Sequence, residues 1–317
     1  MPVDCLSVGL LVADHLCAPI PRMPKSGELV LTDHLLLNIG GCASNAAMDL
    51  ARLGVKVGVV GCVGQDAFGR FVIETLQREG IDTSTIRQLD DVGTSGTLII
   101  NVEGEDRRFI HTIGANARIT AKDIPLEQVR QAKVLYLGGY LLMPGLEAED
   151  LAELFRQARA AGVVTMLDIV LPGAGDHWRA LAPVLAETDI FLPNNDEAEV
   201  ITGTADPRRQ AELFREAGAK TVVITCGSAG TILAAEGLCV KADVYPVSYV
   251  GATGAGDAFD AGYIAGLLAG GDPIECLRWG SALGASCVRS IGATESVFTR
   301  EEAQEFMRRH KLNIQNW

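Results

Sequence analysis

No Cys-x-x-Cys pair or other metal-ligand spacing occurs among the eight cysteines (Cys5, Cys17, Cys42, Cys62, Cys226, Cys239, Cys276 and Cys287), which argues against a zinc-ribbon or redox-motif protein. A chain of 317 residues buries a core without staples, so the cysteines are expected to be reduced, mostly buried small hydrophobes in a cytosolic protein. No apolar run approaches the roughly 18 residues that a membrane span needs. The opening MPVDCLSVGLLVADH sets Asp4 ahead of its apolar run and has no basic leader, so no secretory signal is expected. Cationic charge is in short supply as well. With 27 Lys and Arg against 40 Asp and Glu the net charge is −13, which weighs against nucleic acid or anionic membrane as a partner. An anionic ligand must then be held locally by a few oriented groups. GxxxxGK[ST] is absent, as is GxGxxG after the first strand, which demotes a P-loop ATPase and a nicotinamide dehydrogenase. There is no long linker, repeat, heptad or low-complexity tract, so one domain spanning 1–317 is favoured over two.

What is present is an alternation of short apolar runs and helical patterns. CLSVGL, VKVGVVGCVG, AKVLYLGG, GVVTMLDIVL, DIFLPN and TVVITC read as continuous apolar strands, buried on both faces of a mainly parallel sheet with helices on each side. ASNAAMDLARLG, GRFVIETLQREG, EAEDLAELFRQARAAG and PRRQAELFREAG read as helices closed by glycine. Two stretches depart from this rhythm. Residues 94–113 hold two β runs around Glu103-Gly104-Glu105-Asp106, and residues 16–37 are polar and proline-containing before ELVLTDHLLL. Both are read as excursions that build a small β-sheet lid.

Residues 249–271 carry the clearest chemistry. They include VGATGAGDAFDAGYIAGLLAGG, in which Gly254, Ala255 and Gly256 leave the backbone nearly bare before an apolar helix. Their N–H groups can converge on an anion such as phosphate. The helix is apolar nearly all round, so its positive end is expected to point into the protein. Asp257 would sit beside that pocket, placed to take a proton from a hydroxyl attacking phosphorus; the plainer alternative is a helix N-terminal Asp. The same tetrapeptide recurs at Gly173-Ala174-Gly175-Asp176. The helix behind it opens with His177, Trp178 and Arg179 and contains Pro183, so Asp176 is read as an N-cap.

Over nearly its whole length the chain resembles the ribokinase-like (PfkB) carbohydrate kinases. The carboxy-terminal signature is similar to Thr253-Gly254-Ala255-Gly256-Asp257 with Phe259 and Gly262. The amino-terminal one resembles Gly40-Gly41-Cys42-Ala43-Ser44-Asn45, then Gly54, Gly61-Cys62-Val63-Gly64-Gln65-Asp66 and Gly69, about 200 residues earlier. The resemblance implies a three-layer ribokinase-like α/β fold with a β lid. It also implies an ATP-dependent kinase acting on a primary hydroxyl of a small sugar or sugar derivative, with a nucleoside kinase as the alternative and a non-catalytic ligand-binding module as a more distant one.

Roles follow by position. The resemblance makes Asp257 the base and the backbone of Gly254, Ala255, Gly256 and Asp257 the anion hole. Asp14, Gly40, Gly41 and Asn45 become the acceptor-binding residues, which suits hydroxyl recognition by a carboxylate, an amide and bare backbone. Asn194 and Glu197, in PNNDE, match an element that holds water around Mg²⁺ bridging the ATP phosphates; a helix capping box is compatible with the same pattern. Thr225, Gly227 and Gly230 match the nucleotide-binding turn, with a plain β-turn as the alternative. Adenine is expected near Ala282–Ser286.

Several positions depart from the family pattern. Gly251 stands where relatives carry an aspartate that supports a monovalent cation, which weighs against potassium activation, although the carbonyls of Ser290–Ser296 are still available. Val12 and Cys42 replace polar side chains, so ribose is not the default acceptor. In the lid, Arg107 or Arg108 and His111 offer contacts to an acidic or phosphorylated substrate. Strand alternation forbids both arginines from facing the pocket. Phe109 is the lid's one aromatic, which favours a sugar over a nucleoside. Asp260 is read as a helix-turn residue. A homodimer pairing its lids is expected.

Overall fold

In the computed structural model, which describes residues 2–105, 108–173 and 175–317, the apolar runs assemble into a ten-stranded sheet. Its order is β14 (Ile314–Asn316), β13 (Leu238–Ala242), β12 (Thr231–Ala235), β11 (Thr221–Thr225), β10 (Ile190–Phe191), β9 (Val164–Leu167), β8 (Val134–Gly138), β1 (Cys5–Gly9), β4 (Val57–Gly64) and β5 (Asp82–Leu89). From β11 to β5 every neighbouring pair is parallel. The β11–β14 edge is antiparallel. All six apolar runs read from the sequence lie in the parallel part, where β1, β4 and β8 are buried along their whole length, as strands covered on both faces must be.

The helices are α1 (Cys42–Arg52), α2 (Ala67–Arg78), α3 (Leu126–Gln131), α4 (Ala148–Ala160), α5 (His177–Leu185), α6 (Asn195–Thr202), α7 (Pro207–Glu216), α8 (Ala255–Leu268), α9 (Pro273–Cys287) and α10 (Arg300–Arg309). They cover both sides of the sheet. Strand alternation sends Val57, Val59 and Val63 into a core shared with α1, α2, α8 and α9. Leu6, Val8, Val60 and Cys62 enter a second core with α4, α5 and α7. Helix α8 is buried nearly all round, and its Gly262 lies where a side chain would overlap the backbone of Trp279 on α9. That close approach seats Phe259 and Ile264 in the core, at about 1.5–3 kcal/mol of stabilisation per large apolar side chain. No helix among the described residues is long and apolar enough to cross a membrane.

A second sheet of four strands runs β3 (Leu35–Gly40), β2 (Val12–Cys17), β6 (Gly96–Ile100) and β7 (Arg108–Thr112). Strands β6 and β7 fall inside the expected 94–113. The first excursion differs from the expected 16–37: its strands are 12–17 and 35–40, and the segment between them pairs at Ile20 with Val102. Leu10, Leu11 and Val12 prolong the apolar run of β1, so composition marks no boundary there. The boundary is a backbone bend, with Gly9 at φ +142, that carries the chain from one sheet to the other. Asp14 therefore stands on a lid strand rather than at the end of the first core strand.

Asp176 occupies the N-cap position of α5, but its side chain accepts no capping hydrogen bond. Ala174 of that decoy tetrapeptide, and Asp106 and Arg107 of the lid turn, lie outside the described residues.

Candidate active site

The carboxyl ends of parallel strands are where ligands bind in open α/β sheets, and the expected residues gather there. Gly254, at φ +76, turns the chain into α8 and presses against the backbone of Ala293 so closely that a Cβ would overlap it. The Ala255 N–H is taken by the Ala252 carbonyl at 3.2 Å. Those of Gly256 and Asp257 belong to a first helical turn, which has no intrahelical acceptors to offer them. Nothing lies within 4 Å of where a side chain at residue 256 would sit, so a ligand can approach the bare backbone.

Asp257 is half-buried in that turn, and its Oδ2 accepts from Asn45 Nδ2 at 2.8 Å. Burial pushes the carboxyl above its usual range, while hydrogen bonds from Asn45 and Cys42 pull it back in part. Asn45 comes from α1, whose start is set by Gly41 (φ +92) at the end of β3. The lid supplies Asp14, buried and pushed up to about 6, first by desolvation and then by the charge of Asp257, with Thr97 opposing. Any side chain at residue 40 would overlap the Asp14 carboxylate, which gives Gly40 its reason. All four acceptor residues expected from the sequence are thus brought to one place.

Asp168 was missed from the sequence. It follows β9 directly, and its carboxylate accepts from the Gly139 N–H at 3.2 Å. One ligand atom each from Cys42, Asp168 and Asp257 lie within 4.8 Å of one another. Burial and the charges of Asp260, Glu197 and Asp257 hold Asp168 well above the usual carboxylate range. An aspartate interrupting the apolar run GVVTMLDIVL was the available signal, because an acid just past a strand's carboxyl end is where a ligand would meet it.

Asp260, one helical turn beyond Asp257 on α8, is buried and accepts from the Tyr136 hydroxyl at 2.9 Å. The apolar face of α8 turns inward as a whole and takes Asp260 with it. Asp49, on α1, is fully buried, neither carboxylate oxygen has a partner, and desolvation raises it well above the usual range. No sequence signal set it apart from a surface helix residue.

The nucleotide half forms at the next strands. Asn194 and Glu197 make the capping box that opens α6, with Glu197 N–H donating to Asn194 Oδ1 at 2.8 Å and Asn194 N–H to Glu197 Oε2 at 3.1 Å. Burial pushes Glu197 up to about 7, with the Asn194 N–H opposing and Asp196 and Asp257 adding to the shift. Asn194 bridges to Thr225 at the end of β11. The turn behind it closes through Cys226 N–H to Gly230 O at 2.8 Å and holds Gly227 and Gly230 at positive φ. The adenine expectation fares worse. Ala282, Leu283 and Ser286 are fully buried, and the Ser286 hydroxyl is used within the fold by Leu283 and Phe298, which leaves Gly284 and Ala285 half-buried. Helical periodicity turns three of the five residues into the core.

In the 290–297 loop, carbonyls are engaged from within: Cys287 donates to Ala293, and Arg52 to Thr294 and Val297. On the lid, Arg108 pairs with Glu105 in solvent. His111 meets the Thr97 hydroxyl at 3.1 Å, and Thr97 in turn bonds Asp14.

Comparison with known proteins agrees with this geometry. A ribokinase from Haemophilus influenzae is 29% identical over 310 residues, covering 95% of this chain and 97% of its own. A 5-dehydro-2-deoxygluconokinase from Clostridium perfringens is 28% identical, covering 86% and 85%. The Arabidopsis thaliana ribokinase solved with ribose and ATP superimposes with a TM-score of 0.83 at 26% identity, covering 97% of this chain and 99% of that one. The family model for pfkB carbohydrate kinases matches residues 4–300, and the chain accordingly belongs to the pfkB family of carbohydrate kinases, phosphotransferases that use an alcohol group as acceptor.

Proposed function

We propose that the protein uses ATP to phosphorylate a primary hydroxyl of a small sugar or sugar derivative, with Asp257 as the base. The observation that carries this reading is the Asp257 carboxylate beside the open amino end of α8, held by Asn45 and within reach of Asp14. The acceptor hydroxyl would give its proton to Asp257 as it attacks the terminal phosphorus. The N–H groups of Gly256 and Asp257 would meet the negative charge spread over the transferring phosphoryl oxygens, with Gly254 shaping the turn. Preorganised donors of this kind contribute roughly 3 kcal/mol each at comparable anion sites. Raising the base above the ordinary carboxylate range suits proton abstraction from an alcohol near neutral pH.

Thr225, Gly227 and Gly230 would receive the nucleotide, and Asn194 and Glu197 would hold Mg²⁺ through its water shell. One carboxylate and an amide oxygen, both already used in a capping box, fit an ion that keeps most of its waters. Bound there, the ion would neutralise charge on the ATP phosphates. The lid leaves Leu35, Leu98, Phe109 and Ile110 exposed, a surface suited to pairing with a second lid in a homodimer. Eight free thiols suit a cytoplasmic protein.

The test is ADP formation from ATP and Mg²⁺ with pentoses, hexoses, sugar acids and nucleosides. Turnover with a sugar, abolished by EDTA and restored by Mg²⁺, is expected. Turnover confined to nucleosides would replace this reading with the nucleoside one, and no turnover at all would refute it.

A further inference from the structure

Helix α1 serves the site at both of its ends. Asn45, near its start, holds the Asp257 carboxylate, and Arg52, in its last turn, reaches the loop that backs the anion turn. Asn45, Asp49 and Arg52 stand at i, i+4 and i+7, the spacing of one helix face.

A cation in the last turn of a helix ordinarily complements that helix's own carbonyls. Arg52 is committed elsewhere. Its Nη1 donates to the carbonyls of Thr294 at 2.5 Å and Val297 at 2.9 Å, with that of Glu295 at 3.4 Å. The half-buried side chain makes these bonds although Asp49, whose carboxyl feels its charge, is left with no hydrogen bond on either oxygen. Carbonyl dipoles aimed at one point repel one another, and a guanidinium placed there replaces that repulsion with charge-assisted hydrogen bonds. Arg289 closes the far side of the same loop, donating to the Ser296 carbonyl at 2.6 Å.

What the loop supports is the anion turn. Ala293 directly precedes the carbonyls that Arg52 binds, and its backbone lies 2.5 Å from where a Cβ at residue 254 would stand. Gly254, at φ +76, rests on it. The Cys287 thiol stitches the two segments together, 3.0 Å from the Ala293 carbonyl and 3.2 Å from that of Thr253. Movement of the loop therefore moves the turn that aims the Gly256 and Asp257 N–H groups. Donors of this kind act through their position, so their effect falls when the backbone behind them shifts.

Building on the sugar-kinase reading, we propose that Arg52 is a positioning residue for phosphoryl transfer: its guanidinium locks the 294–297 loop behind Gly254 and so fixes the anion turn, acting through backbone rather than on either substrate. Charge on the transferring group is met most strongly in the transition state, so the effect falls on kcat and not on the two KM values.

The experiment measures kcat, both KM values and recovery by added guanidinium chloride in Arg52→Ala and Arg52→Lys, with a sugar that the native protein turns over. Arg52→Ala is expected to lose about a hundredfold in kcat, the scale of one misplaced donor at an anion site, while the KM values for ATP and acceptor stay within about threefold. Arg52→Lys keeps the charge but ends short of the carbonyls and is expected to lose about tenfold. Millimolar guanidinium chloride should raise the rate of Arg52→Ala at least about fivefold by restoring the directed bonds, whereas tetramethylammonium chloride, a cation without N–H groups, should not. A kcat within about threefold of native in either variant would overturn the role of Arg52, and equal recovery with the two salts would do the same. Raised KM values with kcat preserved would also overturn it, by placing Arg52 in substrate binding. In each of these cases the native protein still phosphorylates its sugar and the kinase reading stands; no turnover by the native protein would overturn both.

Discussion

Replacing Asp257 by Asn isolates proton abstraction from every other part of the site. The amide has the carboxylate's shape, and its Oδ1 can still accept from Asn45 Nδ2, the contact made at 2.8 Å in the native protein. The first-turn N–H groups of α8 are backbone and do not change. The substitution therefore removes the basic lone pair and one negative charge while sparing the phosphate cradle. General-base catalysis contributes about 10²–10⁴ in rate, equivalent to about 2.7–5.4 kcal/mol at 1.36 kcal/mol per tenfold. Turnover in Asp257→Asn is expected to fall by that factor. The KM of ATP should stay within a few fold, and a modest tightening is reasonable because a carboxylate near the triphosphate is lost. The assay is a coupled ADP measurement with varied ATP and saturating acceptor, alongside calorimetric ATP binding. A turnover number within tenfold of the native protein would refute the assignment of Asp257 as base. Unchanged turnover with weakened ATP binding would place the residue in the nucleotide half instead.

Asn45→Ala deletes the hydrogen bond that favours the ionised form of Asp257. Bonds to charged groups contribute about 1.5–3 kcal/mol, so the pKa of the base should rise by roughly one to two units at 1.36 kcal/mol each. Because the base works ionised, the limb on which turnover falls as pH drops should move to higher pH. The acceptor KM should rise while the ATP KM holds; a pH–rate profile that does not move would sink this coupling. Asp49 predicts the opposite kind of effect, on stability. Its folded pKa is raised by burial, so its favourable contribution is complete below the unfolded carboxylate pKa and disappears as pH climbs through the folded value. Asp49→Asn does not titrate, so its stability advantage over the native protein should widen between pH 5 and pH 8 by at least about 1.4 kcal/mol, one pKa unit. Urea unfolding at the two pH values measures it, and a gap that stays constant would mean that Asp49 finds a partner in solution.

Much of the fold was legible in the chain itself. CLSVGL, VKVGVVGCVG and TVVITC became parallel strands because an apolar run bounded by turn residues, too short for a buried helix, can satisfy its backbone only inside a sheet covered on both faces. The glycine cluster before α8 was equally plain, since bare backbone ahead of an apolar helix has few other uses. Asn45 and Asp257 could be named because they stand within contiguous signatures, and Asp14 because the resemblance carries an acid at its position. Asp168, Asp49 and Asp260 could not. The chemistry of each comes from what lies across from it: Cys42 and Asp257 for the first, the charges of Asp257 and Arg52 with no hydrogen-bond partner for the second, Tyr136 for the third.

The lid boundary shows the same division. Residues 5–13 are almost uninterruptedly apolar, and hydrophobicity does not record that the chain leaves one sheet for another at Gly9. The sequence by itself determined the sheet, the helix that bears the base and the residues of the anion turn, because periodicity and backbone freedom are local properties. Only the tertiary structure decided which carboxylates are desolvated, which share one space and which lack a counter-charge, because electrostatics in a recess depends on distances between segments that the chain order does not encode.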